Sequence, residues 1–117
     1  IVMGMSDTSS YEYDGSSWTA GGTMNRSGSQ STYAGLQTDG ISFGGSPTPT
    51  TSTEGYDGTA WSTRPSMGTA RYALAGSSGT STSALGAGGY TVGVNFAATE
   101  EFTGETVSAN IKTFTTS

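Results

Sequence analysis

The chain has no cysteine and no histidine. Disulfides are therefore excluded, and the two side chains that most often hold zinc and other transition metals are missing. The usual pairings of a nucleophile with an imidazole or thiolate are missing too. Basic residues are scarce: Arg26, Arg64, Arg71 and Lys112 stand against nine acids, for a net charge of −5. Such a balance excludes a nucleic-acid phosphate backbone as the expected partner. Leucine is confined to Leu36, Leu74 and Leu85, and no window sustains apolar residues at helical spacing, which disfavours helical repeats. No apolar run is long enough to span a bilayer and no stretch is both basic and amphipathic, so membrane insertion is not expected. The Ile1–Met5 run is too short and uncharged for a signal peptide. No Asp-x-Asp-x-Asp-Gly calcium loop occurs. No metal, cofactor or catalytic residue is expected in this segment.

What is abundant is Gly, Ser and Thr, which together fill about half of the 117 positions. Thr, Tyr, Phe, Val and Trp come in short alternating stretches bounded by Gly, Asp, Asn and Ser, the pattern of strands and hairpins. Low hydrophobicity with so much Ser and Thr also suits disorder, but the two Trp, six Tyr and four Phe recur in an ordered frame. Tyr11-Glu12-Tyr13-Asp14-Gly15-Ser16-Ser17-Trp18 returns 43 residues later as Glu54-Gly55-Tyr56-Asp57-Gly58-Thr59-Ala60-Trp61. It fades at Glu100-Glu101-Phe102-Thr103-Gly104. Ile41-Ser42-Phe43-Gly44-Gly45 likewise returns as Leu85-Gly86-Ala87-Gly88-Gly89, with a weaker copy at Ile1–Met5. A fixed period of this length marks a solenoid or a propeller. The expected fold class is all-β.

One full period reads as four strands. Arg71 to Gly76 is expected to be innermost, then Ser83 to Gly89, Ala98 to Phe102 and Ile111 to Thr116. Asp14-Gly15 and Asp57-Gly58 are strong hairpin signals, because both residue types tolerate left-handed backbone angles. Four-stranded antiparallel sheets of this period match propeller blades. The expected division is a partial blade over 1–20, a blade over 21–63 and a C-terminal blade over 64–117. Eleven strands give an incomplete ring, so Ile1 is not expected to be a native start. The expected partners are the remaining blades of a longer chain or other protein subunits.

The order of these landmarks resembles the kelch repeat: Gly44-Gly45, Glu54, Tyr56-Asp57, Trp61, Met67 and Arg71, with Tyr13-Asp14, Trp18 and Met24 in the preceding copy. The likeness departs at the arginine, where the position matching Arg71 holds Gly28 and Arg26 sits two residues early. Composition and the phrase Thr69-Ala70-Arg71-Tyr72-Ala73-Leu74-Ala75-Gly76 also resemble Gly/Ser/Thr-rich kelch-like arrays of marine bacteriophage structural and fibre proteins. The resemblance implies kelch-type β-propeller blades in which Tyr13, Asp14, Trp18, Gly44, Gly45, Tyr56, Asp57, Trp61, Arg71, Gly88 and Gly89 are structural. Trp18 and Trp61 would each bury on the order of 150–250 Å² between sheets, and Arg71 would satisfy carbonyls between blades.

Carboxylate pairs could still serve glycoside hydrolysis, and Glu100, Glu101 and Glu105 are the closest. Glu101 aligns with Glu54 and Glu12 as a repeat residue, and alternation sets Glu100 and Glu101 on opposite faces. The sequence thus points to a non-enzymatic structural or binding module. The loops after the double glycines, Ser46–Ser52 and Tyr90–Ala97, share one repeat position and should form one rim. Pro47, Pro49, Tyr90, Asn95 and Phe96 are its candidate contact residues. The first reading is a virion tail or fibre propeller, on a virion or extracellular surface, recognising a host-surface glycan or protein. A generic kelch protein–protein scaffold and an accessory propeller of a carbohydrate-active enzyme are the alternatives.

Overall fold

A computed structural model describes residues 2–3, 7–27, 29–46, 48–75 and 79–104. The described residues contain strands, turns and no helix. In chain order the strands are β1 (Val2–Met3), β2 (Ser10–Tyr13), β3 (Trp18–Ala20), β4 (Thr32–Leu36), β5 (Asp39–Phe43) and β6 (Thr53–Tyr56). They continue as β7 (Trp61–Arg64), β8 (Gly79–Thr80), β9 (Ser83–Ala87), β10 (Tyr90–Thr91), β11 (Val94–Asn95) and β12 (Thr99–Thr103). All pairings are antiparallel. They form a three-stranded sheet β1-β2-β3, a four-stranded meander β4-β5-β6-β7, a three-stranded sheet β12-β9-β8 and the separate hairpin β10-β11.

The two Asp-Gly turns fold alike because the same atoms close them. Asp14 Oδ1 accepts the Ser16 and Ser17 amides at 2.7 and 2.8 Å. Asp57 Oδ1 accepts the Thr59 and Ala60 amides at 2.9 and 2.8 Å. Gly15 and Gly58 follow at φ of 100° and 93°, a region where a side chain would be strained. Each turn fixes its register, setting Tyr13 opposite Trp18 and Tyr56 opposite Trp61. Their rings stack alike as well, with centroids 5.0 Å apart at 37° and 4.9 Å apart at 33°.

The core lies between sheets. Met24, Tyr56 and Trp61 pack against Tyr33 where the first sheet meets the second. Ala34, Ile41, Phe43, Leu74 and Ala84 pack with Met67 and Phe102 where the second meets the third. The middle sheet is covered on both faces, so β6 is buried throughout and β5 is buried except at Asp39. That is why its strands show little polar–apolar alternation.

Three expectations change. Arg71 to Gly76 is not the innermost strand: Arg71, Tyr72 and Ala75 form only isolated bridges, and β8 at Gly79–Thr80 is the outlying strand of the third sheet. Arg71 is instead held in a connecting segment whose amides bond Thr50 on one side and, through Tyr72, Tyr90 on the other. The post-glycine loop Tyr90–Ala97 contains a hairpin of its own rather than irregular chain. Finally, the register makes Glu100, not Glu101, the counterpart of Glu54: Glu54 lies opposite Ser42 and Glu100 opposite Gly86, two positions before the double glycine in each case. Glu12 and Glu101 share the other face. The strand expected at Ile111–Thr116 lies outside the described residues, whereas the Ile1–Met5 run does contribute β1.

Candidate binding rim

Arg71 is the residue on which the rim hangs. Its side chain is fully buried, and its Nη1 donates to the carbonyls of Gly88 and Ala98 at 2.8 and 2.7 Å. Nη2 meets Glu100 Oε1 at 2.8 Å, and the guanidinium lies 5.6 Å from the Phe96 ring centroid. Gly88 and Ala98 bracket the β10-β11 hairpin, so the arginine clamps both ends of that excursion. Glu100 also accepts the amides of Gly68 and Thr69 at 2.7 and 3.1 Å. Oε1 takes two donors and Oε2 one, so the carboxylate that borders the small pocket is engaged at both oxygens in holding the chain.

A looser counterpart, built around Glu54, occurs one period earlier. Glu54 Oε1 accepts the Asn25 amide at 2.8 Å and the Asn25 side-chain amide at 2.6 Å, and Arg26 Nε approaches Glu54 Oε2 at 3.7 Å. Arg26 Nη2 reaches Ser42 Oγ at 3.2 Å. Burial lowers the Arg26 pKa, and the Glu54 charge opposes that shift. The long Arg26 side chain absorbs much of the two-residue offset and brings its charge near the carboxylate, but Nε and Glu54 Oε2 stay 3.7 Å apart without a hydrogen bond between them.

The two rim loops flank one short stretch of chain. Thr50 bridges Arg71 and Tyr90 bridges Tyr72, so Ser46–Ser52 and the β10-β11 hairpin approach the Arg71–Tyr72 dipeptide from its two sides. Gly45 N–H closes the same corner by donating to the Arg71 carbonyl at 3.0 Å. Gly44, Gly45, Gly88 and Gly89 all have positive φ there.

Each candidate contact residue has a definite place. Tyr90 is half-buried and packs edge-on against Tyr72 with ring centroids 5.3 Å apart. Its hydroxyl accepts the Gly93 amide at 2.9 Å, covering its own turn. Phe96 is half-buried beneath Arg71. Asn95 is exposed and Pro49 half-buried, while Pro47 lies outside the described residues. The exposed apolar surface is carried instead by Val92 and Val94, 82% and 51% exposed at the hairpin tip. The alternation Tyr90-Thr91-Val92-Gly93-Val94-Asn95 was the available signal for them, since a hairpin must project its turn.

A second feature is a pocket of about 160 Å³ between the second and third sheets, lined among others by Phe43, Met67, Gly86, Glu100 and Phe102. Its floor is the inter-sheet core. Among the described residues, no group of three or more His, Cys, Asp or Glu side chains converges as metal ligands would. The chain matches no protein-family model, and no significant match to a curated protein was found.

Proposed function

We propose that this chain is a run of kelch-type β-propeller blades acting as a non-enzymatic structural and binding module, displayed on a virion tail or fibre or a comparable extracellular surface. The observation that carries the reading is the recurrence, one period apart, of the same turn, ring pair and carboxylate clamp in consecutive sheets. Repeated positions of this kind hold neighbouring units together, which leaves recognition to the segments that differ. The β10-β11 hairpin is such a segment, and exposed Asn95 with the Thr91 hydroxyl of the same hairpin suits a surface glycan.

A glycan array probed with the chain tests this. Selective binding that is lost in Asn95→Ala, with the thermal midpoint unchanged, is the expected result. Uniform absence of glycan binding would overturn the glycan reading. A protein-contact scaffold is the second reading, favoured by the apolar Val92–Val94 tip. Val92→Asp should then abolish partner binding while sparing stability.

A further inference from the structure

Tyr13 and Trp18 form the same ring pair as Tyr56 and Trp61, yet their surroundings are opposite. Tyr56 and Trp61 are 2% and 6% exposed, whereas Tyr13 and Trp18 are 44% and 54% exposed, beside a Tyr11 that is 44% exposed. Alternation along β2 turns Ser10 and Glu12 towards the middle sheet and Tyr11 and Tyr13 away from it. The outer face of the first sheet is therefore an aromatic surface assembled as a buried one but left uncovered among the described residues.

The covered pair shows what that surface requires. Trp61 Nε1–H donates to Ser10 Oγ at 3.1 Å. The Tyr56 hydroxyl donates to the Glu12 carboxylate. A cover must therefore present a hydroxyl and, two residues on along one strand, a carboxylate. In the third sheet, β12 places Thr99 and Glu101 at the positions that Ser10 and Glu12 hold in β2, and both are exposed. The middle sheet offers a useful contrast. It has Thr53 and Gly55 at those positions, with no carboxylate, and the ring that packs against this side is Phe102, which has no hydroxyl to donate. Carboxylate and tyrosine thus occur together or not at all.

We propose that the Thr99–Glu101 face of one chain receives the Tyr11–Tyr13–Trp18 face of a second copy, head to tail. Glu101 accepts the Tyr13 hydroxyl and Thr99 accepts the Trp18 indole N–H. The two surfaces are different and complementary, so the contact is heterologous and extends into a ring or a filament rather than stopping at a symmetric dimer. Burial of three aromatic side chains supplies the attraction, and the carboxylate–phenol bond selects the partner face.

The test uses sedimentation equilibrium of the 117-residue chain with two variants, Trp18→Ala and the double variant Thr99→Val/Glu101→Ala. Wild-type chain should associate with rising concentration, with masses beyond a dimer. Each variant alone should remain monomeric, because each lacks one of the two faces. An equimolar mixture of the variants should form a capped heterodimer, since it retains one intact head and one intact tail. Tyr13→Phe should weaken wild-type association about tenfold, the scale of one hydrogen bond to a charged group. Unchanged thermal midpoints in dilute solution keep misfolding from imitating these results. Wild-type chain that stays monomeric at millimolar concentration would overturn the proposal. So would a Thr99→Val/Glu101→Ala variant that associates like wild type, because the Trp18 face would then be pairing with itself or another surface. A Trp18 emission shift produced by an oligosaccharide on a persistently monomeric chain would assign the face to a sugar instead.

Discussion

Trp61 reaches back 51 residues to bond Ser10 through a buried indole N–H, and the Ser10 hydroxyl in turn donates to the Gly22 carbonyl at 2.6 Å. The hydroxyl is both acceptor and donor, so a single small side chain satisfies two groups at the junction of the first and second sheets. Ser10→Ala leaves the indole N–H and the carbonyl unpaired together. The expected loss is about 1–3 kcal/mol, read by urea denaturation.

The two tryptophans should respond differently to the same substitution. Trp61→Ala removes a buried plate from the inter-sheet core and should cost about 3–5 kcal/mol. Trp18→Ala, in dilute chain, forfeits chiefly its stacking on Tyr13, worth about 1 kcal/mol. Equal losses in chemical denaturation would contradict the difference in burial.

Arg71→Met strands the Glu100 carboxylate and two carbonyls and should destabilise by about 3–5 kcal/mol. Arg26→Met should cost less, because its approach to Glu54 is 3.7 Å rather than 2.8 Å and its side chain is 15% exposed rather than fully buried. Combining Arg71→Met with Glu100→Gln should cost less than the sum of the two, since the pair shares one network.

Tyr33 gives stability an alkaline edge. Burial is the main cause that raises its pKa from 10.0 to about 12, with the charges of Tyr56, Asp39 and Glu12 adding to it. The folded state holds the phenol neutral, so this contribution is complete below pH 10 and is lost as pH rises through about 12. Tyr33→Phe should flatten the fall of the thermal midpoint across that interval.

The acid edge has the opposite sign. Hydrogen bonds from Tyr56 and Gln37 hold Glu12 below its ordinary 4.5. Backbone amides hold Asp14 and Asp57 below 3.8. These depressed carboxylates contribute stability above their ordinary values, and that stability disappears as pH falls through the lower folded ones. Glu12→Gln should reduce the acid dependence of the midpoint while the Asp turns retain theirs.

Much of this was legible in the sequence where the cause was local. Asp14-Gly15 and Asp57-Gly58 dictate their own turns, and a turn fixes which residue faces which across a hairpin, so Tyr13–Trp18 and Tyr56–Trp61 could be paired from spacing. The arginine clamps were not legible in the same way. Letter-by-letter alignment penalises the early Arg26, but a long side chain tolerates two residues of slack and only the position of its guanidinium matters. Glu-Glu-Phe offers Glu54 two partners, Glu100 and Glu101, and one residue of slip exchanges the faces of a strand. The alanine- and leucine-bearing segment 71–75 imitates an inner strand in composition, but its backbone partners are scattered over Thr50, Tyr90, Gln30 and Ala87 rather than aligned along one neighbour. The rings of Tyr90 and Phe96 mark them as contact residues in the sequence, although rings are what a small hairpin uses to anchor itself.

The amides of Met24 and Met67 both donate at 2.8 Å to threonine carbonyls, Thr8 and Thr51 respectively. The interval between the methionines equals the interval between the threonines, so this backbone bond recurs under translation by a whole period. A gene duplication or deletion of that length, joined within the two Tyr-Asp-Gly copies, returns these methionine amides to threonine carbonyls, whereas the Tyr56–Glu12 bond, with Gly55 at the equivalent acceptor position, does not recur. One of any other length breaks several such bonds at once. Recombination between its own copies is therefore a tolerated route for this chain to lengthen or shorten, and natural length variants should differ by whole periods.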